Sequence, residues 1–367
     1  MALNLPDFPW DALVPYGDIA RSHPNGIIDL SVGSPVDPTP EHIRRALAEA
    51  TDAHAYPQTA GTVELRQAIV EWYARRRGVS LEAHNVLPSI GSKELIAWLP
   101  LMLGIGAGDV VVQPSVSYPT YEIGAALSGA TVVSADDPAD WPANTKLVWL
   151  NSPGNPDGSV IGIDRLRAAV ERAREIGAII ANDECYAELN WEGDEPTPSI
   201  LDPRVIGDNL DSVLSVYSLS KQSNLAGYRA GFVAGCGKMI GELLAVRKHA
   251  GLIPPAPVQA AMVAALGDDV HVSAQRELYR SRRDRLLPAL QAAGFRIDHS
   301  EAGLYLWATR GEDAWTTVEA MAALGILVVP GTFYGTNAAQ HVRVALTTTD
   351  AQIDQAVARL AEAHLSA

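Results

Sequence analysis

SVYSLSKQSNLAGYRAG, residues 215–231, is the stretch on which the reading of the whole chain turns. It opens as an apolar, β-branched run, breaks at Ser218-Leu219-Ser220-Lys221, and ends with Arg229 in a glycine-bracketed turn before a second apolar run, FVAG. A lysine between a buried strand and a flexible turn is a costly place for an ammonium. Lys also gives up its proton readily under desolvation, so Lys221 is a candidate amine nucleophile for a carbonyl. Two hydroxyls just before it and the Arg229 guanidinium after it suit a phosphate. An aldehyde-bearing phosphate ester satisfies both halves, and pyridoxal 5′-phosphate is the common one. Taken alone, the stretch is equally well explained as a surface lysine after a strand, with serines in the turn.

Working outward, VVVQPSVSYPTYEIGAAL, KLVWLNSPGNPDGSV and AIIANDECYAEL each show an apolar strand running into a polar turn. The second turn, Asn151 to Pro156, is dense in Asn, Gly and Pro, and the third carries Asp183 with Tyr186 three residues on. Helical segments separate the strands, one of them expected over residues 164–176. Strand–helix alternation predicts an α/β fold with a mostly parallel central sheet and helices on both faces. Ligands of such sheets lie beyond the carboxyl ends of the strands, so Asn155, Asp183, Tyr186 and Lys221 are expected to converge on one crevice. That convergence argues against the surface-lysine reading.

PSIGSKELIAWLPLML adds a second anion site. Gly91-Ser92-Lys93 leads straight into a helix, whose free N–H groups and dipole favour a negative group. Taken singly, these residues also fit an ordinary serine N-cap. Upstream, SVGSPVDPTP places Gly33 where backbone can approach a ligand, and HAYPQTAG presents Tyr56 in a loop. From about residue 271 the pattern changes to one long helix, then FRID, GLYLWATR, ILVVPGTFYG and HVRVALTT with Arg343. We expect a large domain over 35–270, and a smaller α+β domain from 271–367 together with 1–34 and its N-terminal arm.

The chain has 367 residues, 47% hydrophobic and 19% charged, and a formal net charge of −15. That length holds two or three domains of usual size. Excess acid argues against nucleic acid as a partner, which needs clustered Lys and Arg. The runs Arg75 to Arg77 and Arg280 to Arg285 read as solvated helix faces. Two cysteines cannot build a disulfide framework, and the nine histidines show no metal-binding spacing. GIGAG at 104–108 and GCGKM at 235–239 lack the spacing of nucleotide loops. No basic-then-apolar leader opens the chain, and LIAWLPLMLGIGAG is too short to span a membrane. A soluble cytoplasmic protein without a membrane partner is the expectation.

The ordered set Tyr56, Gly91-Ser92-Lys93, Asn155-Pro156-Asp157-Gly158, Asp183 to Tyr186, Ser218 to Lys221, Arg229 and Arg343 resembles the class I/II aminotransferases of fold type I, which depend on pyridoxal 5′-phosphate. The resemblance covers nearly the whole chain, and within that family the sequence looks like the actinobacterial N-succinyldiaminopimelate aminotransferases of lysine and diaminopimelate biosynthesis. It implies that Lys221 binds the cofactor covalently and then moves the proton at the substrate Cα. Asp183 would keep the pyridine nitrogen protonated; Tyr186 and Asn155 would hold the phenolate oxygen. Gly91, Ser92, Lys93, Ser218, Ser220 and Arg229 would hold the phosphate, joined by Tyr56 from a neighbouring subunit, so that the unit is a homodimer with shared sites. Tyr118 would stack on the ring. Arg343 would clamp the substrate carboxylate, helped by the Gly33 backbone and Asn155. The activity implied is amino transfer from L-glutamate to an oxo acid, suspected to be N-succinyl-2-amino-6-oxopimelate. The rivals on the same fold are an aspartate, alanine or aromatic aminotransferase and a cysteine-conjugate β-lyase. A non-catalytic member that keeps the cofactor as a ligand is the rival of another class.

Overall fold

The computed structural model describes residues 5–362. Its strands run β1 (Ile28–Asp29), β2 (Val86–Ile90), β3 (Val110–Gln113), β4 (Thr131–Ser134), β5 (Thr145–Asn151), β6 (Ile179–Asp183), β7 (Val213–Ser218) and β8 (Ala230–Gly235). They continue with β9 (Arg296–Asp298), β10 (Tyr305–Thr309), β11 (Ile326–Leu327), β12 (Val329–Pro330) and β13 (His341–Ala345). The central sheet is seven-stranded in the order β2-β8-β7-β6-β5-β3-β4. All its neighbours pair parallel except β8, which lies antiparallel to both β2 and β7. A four-stranded antiparallel sheet, β12-β13-β10-β9, and the short parallel pair β1-β11 complete the topology.

Alternation along the central strands separates two apolar faces. Val148 and Ile180 join one buried cluster with Trp72, Leu166 and Tyr217. Leu147, Trp149 and Ala181 join another with Leu95, Leu99 and Tyr121. Both faces being covered explains why β5, β6 and β7 read as near-continuous apolar runs. A third cluster gathers Leu13, Ile28 and Leu30 from the start of the chain with Leu286, Leu306, Val344 and Leu360 from its end.

The segment expected as a helix over 164–176 is helical over Ile163–Glu175, and the long helix spans Val270–Ala292. The arginine runs, however, are solvated only in part: Arg75 and Arg285 pair at the surface with Asp269 and Asp354, while other members turn inward. Arg77 is buried against Glu184 at 2.9 Å, Arg76 meets Glu188 at 2.8 Å, and Arg282 grips both oxygens of Asp37 at 2.6 and 2.8 Å. The partner carboxylates come from loops and strand ends far away in sequence, so helical spacing alone made these arginines look free. Among the described residues, no helix is long and apolar enough to cross a membrane.

Candidate active site

β5, β6 and β7 end side by side, and their carboxyl ends open into a cavity of about 1170 Å³. Every residue expected to converge there does so: Asn155, Asp183, Tyr186 and Lys221 all line it. Ser218 caps the short helical turn Leu219–Gln222 by accepting the Ser220 N–H, which turns the chain so that Lys221 faces the cavity. The Lys221 amine donates to the carbonyl oxygen of Gly33. Burial holds its pKa below the ordinary lysine value, with Arg343 and Arg229 pressing the same way.

Asp183 closes β6 with its side chain buried. Its Oδ2 accepts from the Tyr121 hydroxyl at 3.2 Å and its Oδ1 from the Cys185 N–H at 3.2 Å. Burial pushes this carboxyl above the usual carboxylate range, and no cation among the described residues pairs with it. Glu184, the next residue, points the other way into the ion pair with Arg77. The Asn-Pro-rich turn is fixed by Asn151, whose Nδ2 donates to the carbonyls of Pro153 and Asp183 and whose Oδ1 accepts the Asn155 N–H at 2.8 Å. Asn155 is thereby aimed at Arg343, whose Nη1 donates to Asn155 Oδ1 at 3.2 Å.

Arg343 is the cationic counterpart of Asp183. It is 3% exposed, its Nη2 donates to the Ser31 carbonyl at 2.7 Å, and its guanidinium lies 4.0 Å from the Tyr305 ring centroid. No carboxylate of the described residues pairs with it, and its Nε has no partner. An arginine cannot shed its charge, so a desolvated guanidinium held only by neutral groups is a ready seat for a carboxylate.

The anion site is built differently from an N-cap. Gly91 opens the helix Gly91–Met102 at φ +72°, and no side chain caps it. A Cβ on Gly91 would meet Arg229 Nη2 at 2.5 Å, so only glycine lets that guanidinium lie over the helix start. Arg229 itself sits in the left-handed region at φ +57°. Ser92, Lys93, Ser218, Ser220 and Arg229 all line the cavity. A buried lone carboxylate, an amine of lowered pKa and a helix start with hydroxyls and a guanidinium together match a protonated pyridine, an aldehyde and a phosphate. The residues present therefore fit pyridoxal 5′-phosphate.

Tyr118 lines the cavity, its phenol pushed up to about 12 by burial. Tyr121 lies behind it, stacked on Trp149 at 5.0 Å. Gly33 contributes more than an open backbone: a Cβ there would meet the Tyr305 hydroxyl at 2.0 Å. Tyr56 stands apart, 99% exposed in the single chain. Tyr305 was missed from sequence. It reads as one more inward residue of an apolar strand, yet its hydroxyl lies 3.2 Å from that of Tyr186. Away from the cavity, His42, Asp268 and His271 bring ligand-type atoms within 4.8 Å of one another, a grouping their sequence spacing does not suggest.

Residues 25–360 match the family model for class I and II aminotransferases. Over 358 residues the chain is 54% identical to the 4-dedimethylamino-4-oxo-anhydrotetracycline transaminase of Streptomyces rimosus, covering 97% of this chain and 99% of the relative. It is also 54% identical to a probable aminotransferase of Mycobacterium tuberculosis, covering 98% and 86%. Among solved structures, a probable N-succinyldiaminopimelate aminotransferase from Thermus thermophilus superposes with a TM-score of 0.88 at 28% identity, over 97% of this chain and 100% of that one.

Proposed function

The chain belongs to the class I and II aminotransferase family, which depends on pyridoxal 5′-phosphate, and on that premise we propose that it moves an amino group from L-glutamate to N-succinyl-2-amino-6-oxopimelate. The observation that carries amino-acid chemistry is the pair of orphan charges, Asp183 and Arg343, facing one cavity with Lys221. When bound, the cofactor supplies an electron sink for the bonds at the substrate Cα. Asp183 keeps the proton on its ring nitrogen, which sustains that sink. Lys221, whose burial lowers its pKa, would hold the cofactor aldehyde and, with its amine free, would carry the proton at the substrate Cα. Tyr186 and Asn155 would hold the phenolate oxygen, and Tyr118 would cover the ring. Ser92, Lys93, Ser218, Ser220 and Arg229 bind the phosphate with the Gly91 helix start. Exposed Tyr56 completes that phosphate site in the partner of a homodimer. Arg343 clamps the α-carboxylate of both substrates in turn, with Asn155 and the Gly33 loop fixing its angle.

A long succinylated acid suits the size of the cavity, and Thr332, Thr336 and Asn337 offer its distal carboxylates hydroxyl and amide donors. The likeness to the Thermus thermophilus protein supports the same choice. A second reading, an acceptor with a large uncharged ring system, is favoured by the aromatic wall of Phe8, Trp10 and Phe333 and by the Streptomyces rimosus relative. A half-reaction panel separates them. The cofactor chromophore of the holoenzyme should bleach with L-glutamate and with N-succinyl-LL-diaminopimelate; bleaching by glutamate and ring amines alone selects the second reading. Pyruvate and ammonia release from cystathionine, without bleaching by glutamate, would mark a β-lyase. Lys221→Ala should lose both the near-visible absorbance and turnover, and an active Lys221→Ala enzyme would remove the central assignment.

A further inference from the structure

Tyr305 joins parts of the site that come from different sheets. It opens β10, which pairs antiparallel with β13, so that Tyr305 lies opposite Ala345 and Trp307 opposite Arg343. Its ring carries the Arg343 guanidinium at 4.0 Å, while its hydroxyl sits 3.2 Å from the hydroxyl of Tyr186, which follows β6 of the central sheet. Its hydroxyl also fills the space denied to a side chain on Gly33, whose carbonyl holds the Lys221 amine. Resting on the aminotransferase reading above, we propose that Tyr305 is a positioning residue: it transmits the occupancy of Arg343 to the Tyr186 hydroxyl, and through it to the acidity of the cofactor–lysine link.

Proton counting fixes the direction of the relay. A phenol has one proton to donate and lone pairs to accept. If Tyr186 donates to the cofactor's phenolate oxygen, its own oxygen is left to accept, and Tyr305 is the hydroxyl in reach. Arg343 over the Tyr305 ring strengthens that donation by favouring negative charge on the phenol oxygen. Burial pushes the Tyr305 phenol up, but Arg343, Lys221 and the hydrogen bond with Tyr186 together outweigh it and the phenol lies below its ordinary value. Other titratable groups facing it are Tyr186, Cys185, Tyr334, Tyr118 and Tyr279. A substrate carboxylate neutralises Arg343, weakens the Tyr305 donation and so weakens that of Tyr186. With the cofactor bound, its phenolate oxygen would then regain charge and hold the neighbouring nitrogen's proton more firmly. Carboxylate binding thus favours the protonated link that an incoming amine attacks.

The test is a spectrophotometric pH titration of the bound cofactor in holoenzyme, with and without glutarate, which has carboxylates but no amine. In Tyr305→Phe the transition should rise by roughly 0.5–1 pH unit, the worth of one neutral hydrogen bond. Glutarate should raise the wild-type transition and move the Tyr305→Phe transition less far, the remainder passing through Asn155, which Arg343 also holds. The two-residue cycle is the sharpest arm: on a Tyr186→Phe background, Tyr305→Phe should shift the transition no further. Gly33→Ala, whose methyl must displace the Tyr305 hydroxyl, should shift it in the same sense and serves if Tyr305→Phe folds poorly. A wild-type titration in Tyr305→Phe, or shifts that add fully on the Tyr186→Phe background, would overturn the relay. Absence of any pH-sensitive chromophore in the wild-type protein would instead strike the cofactor reading beneath it.

Discussion

Asp183 and Glu184 are consecutive buried carboxylates, and Arg77 and Arg343 are both buried arginines, yet the two halves of this set live in opposite electrostatic regimes. Behind the end of β6, Glu184 is satisfied completely: Arg77 Nη2 reaches it at 2.9 Å, and Asn182, Ser199 and the Ile200 N–H supply three further donors. In front, Asp183 and Arg343 line one cavity, each hydrogen-bonded to neutral partners. A one-residue step along a strand turns the side chain to the other face, so the same local sequence serves structure on one side and ligand on the other. Where charge is closed off by protein, it holds the fold; where it is left open, it faces the cavity.

That contrast can be broken most violently from behind. Arg77→Met should leave Glu184 buried without its cation and cost about 3–5 kcal/mol of stability, read as a drop in denaturant midpoint. Arg343→Gln attacks the open half: kcat/KM should fall roughly a hundredfold, the loss of about 3 kcal/mol of charge-assisted hydrogen bonds, with the melting temperature unchanged. Asp183→Asn sharpens the comparison through pH. Burial raises the folded-state pKa of Asp183 above its unfolded value, so its charged form opposes folding once pH exceeds the unfolded carboxylate range. Cofactor-free Asp183→Asn should melt a few degrees above wild type at neutral pH, and that advantage should vanish at pH values below the unfolded pKa, where both forms are neutral. The same substitution should weaken cofactor retention. The exposed pair Arg285–Asp354 is the baseline: Asp354→Ala should change stability by no more than about 0.5 kcal/mol.

Much of the open half is readable from the chain, because it is assembled at strand ends. Apolar runs that stop at Asn-Pro, Asp-x-x-Tyr or Ser-x-Ser-Lys mark where a parallel sheet presents its ligands. Arg343 is visible as a cation in HVRVALTT, but its role is legible only through the family resemblance. The closed half is not, since Asp37, Glu184 and Glu188 meet their arginines only after folding, and a helix-borne arginine carries no local sign of burial. Tyr305 escaped for the complementary reason. An aromatic residue in GLYLWATR is what any core strand offers, and only the approach of Tyr186, Gly33 and Arg343 distinguishes its hydroxyl.

Arg229 pays a conformational penalty at its φ of +57°, a region that disfavours any residue with a Cβ by about 1–2 kcal/mol. Glycine would relax that corner of the backbone while removing the guanidinium that lies over the helix start at Gly91. Backbone ease and the guanidinium over the Gly91 helix start therefore pull position 229 toward different amino acids.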